Sequence, residues 1–155
     1  MAHDKKLTKE IVFNAIGKEK SSLEFLAILE ILGEPKIKND IDSDRVDYTW
    51  SNHGINIVLS HETELFYNIF FYPNGTKNDE EYIIDKKSCK TICQENDFDQ
   101  NLTMEEVREK YGNPDTEKET YGGYVFRYSN IHGYKIFFTF IDETQLYSIM
   151  IGSKE

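Results

Sequence analysis

The chain has 155 residues, 28 acidic against 18 basic for a formal charge of −10, and it is 14% aromatic with nine Gly and three Pro. That length holds one ordinary domain or two very small ones around a shared core, and the composition excludes a disordered or fibrous chain. The acidity repels phosphate backbones and anionic headgroups, so nucleic acid and membrane surfaces are excluded as partners and a basic protein is favoured.

The first twenty residues mix charge throughout, as in Asp4-Lys5-Lys6 and Lys18-Glu19-Lys20. No window approaches the ~18 apolar residues of a membrane span, so neither a signal peptide nor a transmembrane helix is expected, and the location is read as cytoplasmic. Glu10 to Ile16 reads as a short strand. Ser21-Ser22-Leu23-Glu24 then fits a capping box that starts a helix, with Leu23, Leu26, Ala27, Glu30 and Ile31 on one stripe and Phe25, Ile28, Leu29 and Leu32 widening it. Leu32-Gly33-Glu34-Pro35 stops it, because glycine takes a left-handed C-terminal conformation and proline prevents continuation.

The run Asn39 to Asp44 alternates Asp40, Asp42 and Asp44 like the start of a calcium loop, but Arg45 stands where glycine is required and Ser51 where the closing glutamate belongs. It reads as an exposed acidic loop. A strand follows with Tyr48 and Trp50 on one face, then a turn at Asn52-His53-Gly54, a returning strand from Ile55 to Leu59, and a last strand from Leu65 to Tyr72 that is apolar on both faces. Pro73 to Glu81 reads as a linker.

Tyr82 to Ile92 reads as a second short strand. Cys89 and Cys93 fall four apart, about 13 Å along a strand and out of disulfide reach, so they read as free thiols in a reducing cytosol. Thr103-Met104-Glu105-Glu106 is another capping box, and Tyr111-Gly112-Asn113-Pro114 another stop. Tyr124, Phe126 and Tyr128 share a strand face, Asn130-Ile131-His132-Gly133 turns, and Tyr134 to Ile141 and Leu146 to Ile151 complete the chain.

These pieces recur in register. Gly33 to Gly112 and Gly54 to Gly133 both span 79 positions (112 − 33 and 133 − 54), and Glu62-Thr63-Glu64-Leu65-Phe66 matches Glu143-Thr144-Gln145-Leu146-Tyr147 with two residues more (143 − 62 is 81). The repeated Ser-Asn-His-Gly tetrad is thus a repeated turn within a tandem duplication, residues 8–75 and 80–152, packed as one unit. The expected fold is α+β: two tandem helix-plus-antiparallel-sheet repeats forming one curved sheet with helices on one face.

A capped helix, a Gly-x-Pro stop, an aromatic strand, a turn and two further strands resemble the beta-lactamase inhibitor protein and the small outer-membrane lipoprotein domains of the same superfold. The pattern is also similar to bacterial domains of that shape that serve as immunity proteins beside toxins. The resemblance implies a concave sheet that clasps an enzyme. It carries over neither the inhibitor's disulfides, since Cys89 and Cys93 lie in one segment, nor the lipoproteins' acylated N-terminus.

Catalysis has no signature here. His53 and His132 read as turn residues and His61 as a strand-end surface residue; no zinc or phosphate-loop pattern occurs, and no cofactor or metal is expected. The expectation is a non-enzymatic, cytoplasmic inhibitor of immunity type. It would cover a basic toxin enzyme's active site with Asp40, Asp42, Asp44, Tyr48, Trp50, Tyr67 and Tyr128, the aspartates mimicking an anionic substrate if the toxin is a nuclease. Trp50 equally reads as a core filler. The competing expectation is a small-ligand module whose apolar pocket is lined by Tyr48, Tyr67, Tyr128 and Phe138.

Overall fold

The computed structural model describes residues 7–50, 53–72, 102–120, 123–143 and 145–153. The linker segment from Pro73, the strand read at Tyr82 to Ile92, and both cysteines lie outside these residues.

The first element among the described residues is a helix where a strand was expected at Glu10 to Ile16. Thr8 accepts a hydrogen bond from the Ile11 amide at 3.1 Å and caps α1, Lys9–Ala15. Ile11, Phe13 and Ala15 imitate the period of a strand, but the buried pair Val12 and Ala15 sits three apart, and the cap decides between the two patterns.

Helix α2, Leu23–Leu32, is capped by Ser22, one residue later than the expected box, so the backbone amide served is that of Phe25. Helix α3, Met104–Tyr111, has the full reciprocal box between Thr103 and Glu106. Both α2 and α3 end at a glycine with positive φ, Gly33 at 86° and Gly112 at 82°. Their ψ values of −160° and −167° are extended rather than left-handed helical, a region open essentially to glycine alone.

Eight antiparallel strands form one sheet: β1 Lys36–Asp40, β2 Arg45–Trp50, β3 Ile55–Leu59, β4 Phe66–Phe71, β5 Thr116–Thr120, β6 Gly123–Ile131, β7 Tyr134–Asp142 and β8 Gln145–Ser153. Their order across the sheet is β1-β2-β3-β4-β8-β7-β6-β5, so helix-then-four-strands occurs twice along the chain, and the two final strands meet at the centre through Ile69↔Ile151 and Phe71↔Ile149. The outermost strands β1 and β5 were not expected. Their sequences, KIKND and TEKET, carry almost no apolar signal, and charge of this kind protects a free sheet edge from further pairing.

The hydrophobic core lies on one face. Trp50, Ile57, Ile69, Phe138 and Ile151 from the sheet join Val12, Phe25, Ile28 and Val107 from the three helices in a single cluster. Phe25 alone meets Tyr48 and Phe66 edge-on at 5.8 and 5.7 Å. The fully buried Phe25 and Phe66 are of the kind that contributes most per residue to the fold.

The turn between β6 and β7 is two residues, His132 and Gly133, both at positive φ (54° and 89°), as a tight hairpin demands. The Asn130 side chain accepts from the Gly133 amide at 2.8 Å, and the residue that distinguishes Asn-Ile-His-Gly from Asn-His-Gly is absorbed by a register shift between Tyr128 and Ile131.

Candidate functional site

The residues that reach a common surface are those around the β1–β2 hairpin. A turn, Ile41 to Asp44, joins these strands, with Asp40 Oδ1 accepting from the Ser43 amide at 3.3 Å and Asp44 at φ 51°. Asp44 fastens this turn to the one after β3: it accepts from Ser60 Oγ at 2.7 Å and from the Glu62 amide at 2.7 Å, and its carbonyl takes the His61 amide at 3.3 Å. These hydrogen bonds, the Ser60 hydroxyl first, hold its carboxyl below the usual range.

On the helix side of this corner α2 does not cover the sheet, and a groove of about 250 Å3 opens. Tyr48, Val46 and Leu59 floor it, and Ile37 and Asn39 of the edge strand form one wall. The opposite wall is Ser60 and His61 with the ion pair Lys20–Glu64, closed at 2.6 Å. Residues 17–20 are held there as an added strap: Gly17 N–H donates to the Phe66 carbonyl at 2.6 Å, Phe66 N–H to Lys18 at 2.8 Å and Lys20 N–H to Glu64 at 3.0 Å. The Lys20 ammonium pKa is raised by its hydrogen bond to Glu64, but both side chains are about half exposed, so this pair orders the wall more than it stabilises the fold.

Ser60, His61 and Asp44 have the composition of a hydrolytic triad but not its connectivity. The Ser60 hydroxyl donates directly to Asp44 and accepts from the Thr63 amide at 3.1 Å, so the carboxylate orients no imidazole as a base. Among the described residues no group of three His, Cys, Asp or Glu side chains is placed to hold a metal ion.

Tyr48 lines the groove and Asp44 is bonded to Ser60 of its wall, with Asp40 and Asp42 exposed on the adjoining hairpin. The remaining site residues stand elsewhere. Trp50 is 2% exposed, and its indole N–H donates to the Gly33 carbonyl at 2.8 Å. Tyr128 is 4% exposed and donates to the Gly112 carbonyl at 2.8 Å. Both serve the core, which is the alternative role the sequence allowed for Trp50.

Tyr67 sits at the β3–β4 irregularity, its pKa raised first by burial, near Arg45, Asp47 and Asp44. Asp47 belongs to the sheet face away from the helices, where it pairs across from Val58. Its buried carboxylate is met by Arg45 Nε at 3.0 Å and by Asn56 Nδ2 at 3.0 Å, and Thr49 donates to Asn56 at 2.6 Å, a satisfied network that fixes β2 against β3.

Sequence reasoning missed Ile37, Ser60, His61 and the Lys20–Glu64 wall. The available signal was Ile37 and Ile41, two lone aliphatics flanking a charged run, and they are 51% and 68% exposed.

No family model matches the chain and no curated protein matches it significantly. Two solved structures share its fold. An extracellular protein containing a SCP domain from Bacillus anthracis str. Ames matches with a TM-score of 0.55 at 11% identity over 99% of this chain, which spans only 48% of that protein. A DUF4309 family protein (YjgB) from Bacillus subtilis subsp. subtilis str. 168 matches with a TM-score of 0.53 at 12% identity, covering 93% of this chain and 91% of that one. At such identity the likeness is one of fold alone. Neither is described as an inhibitor, a lipoprotein or an immunity protein.

Proposed function

We propose that this chain is a non-catalytic protein-binding module, an inhibitor of immunity type, that docks a basic partner at the β1–β2 corner. The observation that carries the reading is the groove itself, an apolar floor at Tyr48, Val46 and Leu59 with the exposed Ile37 on its wall, and next to it the hairpin turn on which Asp40, Ile41 and Asp42 are exposed. Apolar anchors supply affinity and an acidic rim steers a basic surface and rejects acidic ones. The long-range field of a chain at −10 acts in the same sense. Trp50 and Tyr128 hold the scaffold, and Asp44 holds the hairpin in the shape the partner reads.

The architecture behind this site is two tandem repeats. Support comes from the two helix-plus-four-strand runs, the symmetric strand order, and the matched anchors Trp50 to Gly33 and Tyr128 to Gly112. A bacterial cytoplasmic setting rests on the reading of Cys89 and Cys93 as free thiols. The extracellular description of the Bacillus anthracis neighbour argues the other way, and fractionation of the native cell decides between them.

The test is affinity capture by the tagged chain at low and high salt, beside an Asp40→Asn/Asp42→Asn variant. A basic protein retained at low salt, released at high salt and lost by the variant supports the reading. Equal capture by the variant sinks it.

A further inference from the structure

A second cavity lies on the helix side of the other half, independent of the groove. Ile136 and Phe138 of β7 with Ile149 and Ile151 of β8 floor it, and α1 and α3 stand on either side without meeting above it. The space is about 90 Å3 and open at its mouth.

Its walls are fixed. The Phe13 ring stacks on Tyr134 at 4.4 Å, and the Tyr134 hydroxyl donates to the Phe13 carbonyl at 2.9 Å, which ties α1 to β7. Opposite, the Tyr111 ring packs on Phe138 at 5.4 Å and on Tyr128 at 5.9 Å. Little ordering remains for a ligand to impose, which is what a preformed site requires.

The mouth is basic on an acidic protein. Among the described residues Lys9, Lys110 and His132 line the cavity and no Asp or Glu does, although acids outnumber bases 28 to 18 in the chain. A helix C-terminus attracts cations by itself, which accounts for Lys110 at the end of α3. It does not account for Lys9, which comes from the first turn of α1, nor for the cavity between them.

His132 gives the repeated tetrad a second meaning. In the first half His53 is half-buried against the Leu32 backbone at the end of α2. In the second, the tight β6–β7 turn sets His132 beside Tyr111 at the end of α3, where it lines an open space instead.

We propose that this cavity binds a small organic carboxylate. An apolar body of about four or five carbons rests on the Ile136, Phe138, Ile149 and Ile151 floor, since the volume equals about three waters' share of liquid and falls below the ~150 Å3 that admits benzene. The carboxylate sits at the mouth among Lys9, Lys110 and His132.

The experiment titrates the full chain with isovalerate and with isovaleramide, its uncharged isostere, following the amide resonances of residues 132–133 and 149–151. Saturable shifts confined to those residues are expected, with the acid bound at least about tenfold more tightly than the amide. A Lys9→Met/Lys110→Met variant, with an unchanged melting temperature, weakens the acid by a similar factor and leaves the amide alone. The absence of a saturable shift with isovalerate overturns the proposal, as does equal affinity for acid and amide; the latter comparison needs no variant.

Discussion

The Trp50 indole N–H donates to the Gly33 carbonyl at 2.8 Å, joining the last residue of β2 to the cap of the helix that precedes it in the chain. Tyr128 does the same for Gly112 with its hydroxyl, also at 2.8 Å. A helix leaves its last carbonyls without intrahelical partners, and in both halves an aromatic donor from the neighbouring sheet supplies one. Trp50→Phe and Tyr128→Phe each remove a donor while keeping most of the ring. Each should cost about 1 kcal/mol in urea unfolding, and the two effects should add because the pairs are in different halves. Trp50→Ala, which also leaves a cavity, should cost about 3–5 kcal/mol.

Burial holds the His53 pKa below its ordinary value of 6.5, opposed by the adjacent Leu32 backbone. The folded chain therefore binds this proton less readily than the unfolded one. The stabilising effect of neutral His53 is complete above pH 6.5 and is lost as the pH falls through the folded pKa. Unfolding curves from about pH 7.5 to about pH 5 should show a steeper loss of stability for the native chain than for His53→Gln.

Two strand glycines differ in what a side chain would meet. A Cβ at Gly123 overlaps the backbone carbonyl of Phe140, whereas at Gly152 it overlaps a side-chain atom, the Asn68 oxygen, with Lys135 Cε and the Tyr67 carbonyl at 3.0 and 3.1 Å. Gly123→Ala should destabilise by about 2 kcal/mol or more and Gly152→Ala by less. An added Asn68→Ala should recover part of the Gly152→Ala loss and none of the Gly123→Ala loss, measured by the same denaturation curves.

The contrast between legible and hidden parts has a physical origin. The Thr103 cap, a start of α2 within one residue of the observed Ser22 cap, the Gly33 and Gly112 stops and the Ile55–Leu59 strand were readable because each depends on local chemistry at fixed spacing. Strands β1 and β5 were hidden because an edge strand need bury nothing on its free side, and charge suits it better than an apolar period. Helix α1 was misread because its seven residues show too little of a 3.6-residue period to outvote an accidental alternation.

Of the site, Tyr48 and the acidic hairpin were placed together by their closeness in sequence. Ser60, His61 and Lys20 arrive from other segments through long-range pairing, which no local pattern encodes.

The most direct test of the account exploits the exposed aliphatics at the corner, since replacing them leaves the core intact. The tagged chain and an Ile37→Ser/Ile41→Ser variant with matched melting temperatures are used to capture partners from the native cell. The account predicts one basic protein bound by the native chain, displaced by salt, and lost or weakened at least about tenfold by the variant. Recovery of that protein in equal amount by the variant would contradict it.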